Sequence, residues 1–158
     1  MKILGKLSSL ALIALIISVS SCKKDDPQPS RTALLTAKSW QVTKIEFQVG
    51  SSPAGEVTSD FQSECEADDI IKFATTGVYT VSVGADDCDG DQQNETGTWA
   101  LSSNDSVLTI TEDGDVQSVT IASLSSSQLK FKESYPFDSN GDGIDDTTGT
   151  LIFTLAAK

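Results

Sequence analysis

Residues 68–83, DDIIKFATTGVYTVSV, constrain the fold more than any other stretch. Two short apolar runs flank Thr75-Thr76-Gly77, and each alternates in character residue by residue. Ile71 and Phe73 share one face of the first run, and Tyr79, Val81 and Val83 share one face of the second. A period of two marks half-buried strands. Both apolar faces must lie on one side of a hairpin, which sets Phe73 opposite Tyr79 and Ile71 opposite Val81. The connection that remains is short and ends on Gly77, the form of a type I turn closed by a left-handed glycine. Run outward, the same register brings Cys65 within one residue of facing Cys88, so a Cys65–Cys88 disulfide is expected at the open end of the hairpin.

The same alternation recurs along the chain. Trp40–Val49 reads as a first strand, but Trp40 and Val42 have the opposite parity to Ile45, Phe47 and Val49, which requires a bulge near Thr43-Lys44. Further strands are expected around Trp99 and Leu101, over Val107–Thr111 and Val116–Ser123, at Leu129 and Phe131, and at Leu151, Phe153 and Leu155. Asp113-Gly114 is a strong hairpin signal. Arg31–Lys38 suits a helix of one or two turns capped by Ser30 or Thr32. Residues 50–64 and 85–95 read as polar loops. Eight short strands with mostly tight turns predict an all-β fold, an eight-stranded up-and-down antiparallel barrel, with a two-sheet sandwich or meander as the alternative. Trp40, Phe73, Tyr79, Trp99, Phe131 and Phe153 are the expected lumen residues, and their bulk is enough to fill a small barrel.

The first 21 residues have the layout of an export signal: Lys2 and Lys6, an apolar core over Leu10–Ile17, then Val19-Ser20-Ser21-Cys22. The last four resemble the bacterial lipobox, which implies lipid on Cys22. Residues 22–30 then form a tether and 31–158 one domain. Lys23-Lys24-Asp25-Asp26 is similar to the start of Bacteroidetes lipoproteins, which implies outer-membrane attachment. With Cys22 lipidated, Cys65 and Cys88 remain as a pair, and outside the cytoplasm such pairs oxidise.

Charge and composition exclude several functions. The full chain carries −12, and removing residues 1–21 takes two lysines and no acid, leaving −14. That opposes nucleic acid as a partner and favours cations or basic surfaces. There is no histidine. Ser-His-Asp and Cys-His catalysis and His-based metal sites are thereby excluded. The acids fall in turns, where Asp is common for local reasons, so no enzyme is expected.

One acidic segment is more specific. Asp138-Ser139-Asn140-Gly141-Asp142-Gly143 places oxygen donors at every second position before a glycine, the first half of a calcium loop. Gly149 stands where the bidentate Glu should be. Asp145 or Asp146 would have to supply that ligand, as in thrombospondin type 3 repeats, which the segment resembles. Calcium is the cofactor expected on that reading. The rival is an acidic turn between two strands. Asp86, Asp87, Asp89 and Asp91 form a second acidic group without that spacing.

Residues 33–40 (ALLTAKSW), Ile71-Lys72-Phe73 with Gly77 and Tyr79, and Gly97-Thr98-Trp99 together resemble the lipocalin-like domain of Bacteroidetes lipoproteins. The chain departs from lipocalins proper in having Lys38 two residues before Trp40, where they have Gly, and in having no Arg in its last strand. The resemblance implies a small barrel and carries over no ligand pocket. Three functions fit such a chain. The first is a lipid-anchored module binding a small apolar molecule, or a protein partner of unknown identity through its loops. The second is a structural envelope protein with a filled barrel. The third is an inhibitor or glycan-binding surface module.

Overall fold

The computed structural model describes residues 28–86, 90, 93–102 and 104–158. A short helix, α1 (Arg31–Thr36), precedes β1 (Ser39–Gln48), β2 (Gly55–Glu56), a single helical turn α2 (Thr58–Phe61), a 3-10 turn (Glu64–Glu66), β3 (Ile70–Phe73) and β4 (Val78–Ser82). Then follow β5 (Glu95–Leu101), β6 (Val107–Glu112), β7 (Asp115–Leu124), β8 (Gln128–Phe137) and β9 (Thr147–Ala157). From β3 to β9 each strand pairs antiparallel with the next. β1 pairs with β3 on one side and β9 on the other, which closes an eight-stranded barrel. Closure removes the exposed edges that a sandwich would keep.

The hairpin register is as the alternation requires: Ile71 faces Val81 and Phe73 faces Tyr79. Gly77 holds φ at +81°, a conformation that a β-carbon would strain. The parity break in β1 is resolved by a register shift between Val42 and Lys44. Asp113 and Gly114 both have positive φ, 48° and 96°, as a type I′ turn requires. Ser30 caps α1 by accepting a hydrogen bond from the N–H of Ala33.

Residues 50–64 are more ordered than a polar loop. Gly55–Glu56 pairs with Glu46 and Phe47 of β1. Thr58 Oγ1 accepts from the Ile45 N–H at 2.9 Å, tying α2 to the same strand. Phe61, at the end of α2, then sets its ring edge-on to Tyr135, with centroids 5.2 Å apart.

The two ends of the barrel differ. At the end where β1 starts, α1 lies against β3 and β7. Leu35 of α1, Trp40, Leu108, Leu129 and Leu155 have no exposed surface. The Trp40 indole donates to the Leu35 carbonyl at 2.9 Å, so a buried N–H and a helix-end carbonyl satisfy each other. Arg31 donates to the Asp105 carbonyl and fastens α1 to the β5–β6 turn. This end is sealed. Residues 49–69, 83–86, 93–94, 113–114 and 138–146 gather at the other end, because strand alternation returns every second connection there.

Candidate functional site

The inward faces of β3 to β9 stack in layers. Above the sealed layer, Phe73, Tyr79, Ile110, Val119, Phe131 and Phe153 surround a cavity of about 200 Å³. Ile71, Leu155, Gln117 and Glu133 complete its wall. Phe131 and Phe153 face each other across β8 and β9 and stack at 4.8 Å. Phe73 meets Tyr79 at 5.6 Å and Trp99 edge-on at 5.7 Å. Gly97, opposite Tyr79 on β5, lies so close to the Thr111 carbonyl that no β-carbon fits.

A second hollow of about 180 Å³ lies beyond Ile71 and Phe153, which line both. Phe61 and Gln62 of the β1–β3 segment and the carboxylates of Glu66 and Asp69 border it. An aromatic rim follows, with Phe47 edge-on to Tyr135 and Phe137. Gly149 of β9 leaves the space that the Phe47 ring occupies.

The expected lumen residues therefore divide. Trp40 and Phe73 are buried, and Trp40 belongs to the seal. Tyr79 is nine-tenths buried. Trp99, Phe131 and Phe153 are only half-buried, and the two phenylalanines border empty space. The sequence reading missed Glu133, Gln117 and Ile110. Parity was the available signal for Glu133, which stands two residues beyond Phe131 on the inward face of β8.

Polar groups are few in the cavity wall. Gln117 donates to Glu133 at 2.8 Å. The Tyr79 hydroxyl makes no hydrogen bond among the described residues. Burial first, then the neighbouring carboxylates of Glu112 and Glu95, push its pKa up to about 12. Glu95 is itself held above the usual carboxylate range, by burial and then by Glu112, Asp69, Glu66 and Asp113.

The acidic segment after β8 is wired to itself. Asp138 accepts from the N–H groups of Asn140, Gly141 and Gly143, at 3.1, 2.7 and 2.6 Å. Asn140 and Asp142 accept in turn from the N–H groups of Asp142 and Ile144. Asp146 accepts from Ser139, Asn140 and Thr147. The backbone N–H of Gly143, above all, lowers the Asp138 pKa, and the Ser139 hydroxyl does so for Asp146. Asp145 is exposed. Among the described residues, no three Asp, Glu, Cys or His side chains stand together as metal ligands do.

Cys65 sits in the 3-10 turn and is disulfide-bonded. Cys22, Cys88, Asp87 and Asp89 lie outside the described residues, as does Asp91.

The sequence model of a family described as a lipocalin-like domain matches residues 36–131. A crystal structure of a lipocalin-like protein from Bacteroides uniformis ATCC 8492 is 14% identical and aligns over 76% of this chain and 96% of its own, with a TM-score of 0.43. No curated protein matches the chain.

Proposed function

The chain belongs to the lipocalin-like domain family, and from that premise we propose that it is a non-catalytic carrier whose barrel takes up one small apolar molecule through its open end. The observation that carries this reading is the cavity of about 200 Å³ between Phe73, Tyr79, Phe131 and Phe153. Eight-stranded barrels are either filled by side chains or hold one small ligand. A hollow of this size, sealed below and reached from one end, favours the second. It lies below the range of drug-sized pockets, so the ligand is small.

We place the carrier in the envelope, held to the outer membrane by lipid on Cys22, with residues 22–30 as the tether. Cys22→Ala should then release the protein from membranes; a variant that stays in the membrane fraction after washing without detergent would contradict the anchor. The loops at the open end are pinned by a proposed Cys65–Cys88 disulfide. That pairing is supported by the oxidised state of Cys65 and by the position of residue 88 in the connection leaving β4.

The carrier reading is tested by mass spectrometry of small molecules that co-purify with the protein from its native envelope. One apolar species near stoichiometric amount is expected. Protein that is empty as isolated and does not bind 1-octanol would return the filled-barrel reading to first place.

A further inference from the structure

We infer that the ligand is an amphiphilic cation, an apolar body of roughly octyl size carrying one ammonium group, and that it binds with its charge at Glu133. The inference rests on the carrier reading and goes beyond it by naming the chemical class.

Size comes first. The cavity measures about 200 Å³, enough for a short chain or a single ring system. Four aromatic side chains line it, and π-faces attract ammonium groups as well as hydrocarbon. The wall contains no Lys or Arg. Its one carboxylate, Glu133, has one oxygen engaged by Gln117. Tyr79 is nine-tenths buried in the same wall, with a hydroxyl that no described residue engages. An ammonium group at the second Glu133 oxygen would have an acceptor and a counter-charge.

The surroundings select the same sign. The described connections at the open end, residues 49–69, 83–86, 93–94, 113–114 and 138–146, contain no Lys or Arg and many acids. A rim of that sign draws cations toward the cavity and repels anions. The effect reaches the wall itself, where the charges of Glu112 and Glu95 help raise the Tyr79 pKa. A fatty acid would place its carboxylate against these groups with no cation to receive it.

Three probes of one chain length separate charge from apolar fit: n-octylammonium, 1-octanol and octanoate. The full chain carrying Cys22→Ser, purified from the periplasm, would be titrated with each at pH 7 in low salt and followed by calorimetry. Octylammonium should bind roughly tenfold more tightly than octanol, and octanoate should not saturate the protein. In Glu133→Gln the octylammonium-to-octanol ratio should fall to within about twofold, with unchanged melting temperature as the folding control. High salt should narrow the ratio in the unaltered protein. Octanol or octanoate binding as tightly as octylammonium would overturn the cation inference and leave the carrier reading standing. An undiminished ratio in Glu133→Gln would overturn Glu133 as the counter-charge. Failure of all three probes would overturn both readings.

Discussion

The sealed end and the open end of this barrel are built from the same alternating strands and differ in how they are finished. At the sealed end, Leu35, Trp40, Leu108, Leu129 and Leu155 interdigitate without exposed surface, and the indole N–H finds a carbonyl. At the open end, aromatic rings meet edge to face around hollows, and carboxylates crowd one another. Close packing stabilises a fold, while imperfect packing with unpaired polar groups costs stability. The lower layer, close-packed, holds the barrel closed, and the upper layers enclose the hollows in which the proposed ligand would sit.

Substitution sharpens that contrast most. Trp40→Ala should cost about 3–5 kcal/mol, the range for emptying a well-packed aromatic site. Phe153→Ala, at a half-buried ring that already borders empty space, should cost clearly less, below about 3 kcal/mol. Urea denaturation of both variants checks the pair, and equal losses would erase the distinction between the two ends. Next in size is the proposed Cys65–Cys88 disulfide. A loop of that length contributes roughly 3 kcal/mol by constraining the unfolded chain. Reductant should therefore lower the melting temperature clearly, and an unchanged melting curve would argue against the staple.

Acid should act on the open end. The Glu95 pKa is higher in the folded protein than in the unfolded chain, first through burial and then through Glu112. Its proton is therefore bound more tightly when folded. Glu95 destabilises the fold at neutral pH, and that penalty is relieved as pH falls toward its raised pKa. Glu95→Gln should raise the melting temperature at pH 7 and lose the gain near pH 4. Asp138 and Asp146 act oppositely, because their lowered pKa values supply stability above the unfolded carboxylate range that is lost as pH falls through the folded values. The smallest effect is expected from calcium. The oxygens of Asp138, Asn140, Asp142 and Asp146 already accept hydrogen bonds from their own loop. Millimolar calcium should leave the melting temperature unchanged; a rise abolished by Asp142→Ala would establish the loop as a cation site.

The frame was legible in the sequence because strand pairing follows local rules. The register of Phe73 with Tyr79, the shift after Val42, the turn at Asp113-Gly114 and the Ser30 cap each depend on a few adjacent residues. Residues 50–64 were not legible. What orders them is distant: Thr58 bonding to Ile45, and Phe61 meeting a tyrosine on β8. The cavity was hidden for a related reason. Six large aromatics suggest a filled lumen, but volume alone does not say at which height each ring lies. Trp40 spends its bulk in the seal, and Phe131 stacks on Phe153 at the wall, leaving space between. Glu133 could be placed on the inward face by parity, but its setting depends on Gln117, which comes from another strand.

The most direct test of a barrel sealed at one end and receptive at the other is a map of where an apolar probe touches it. Titration of isotope-labelled protein with 1-octanol, followed by side-chain NMR, would supply that map. The account predicts saturable shifts at Ile71, Phe73, Tyr79, Phe131 and Phe153, with Leu35, Trp40 and Leu108 unmoved. Shifts centred on Leu35 and Trp40, or none that saturate, would contradict it.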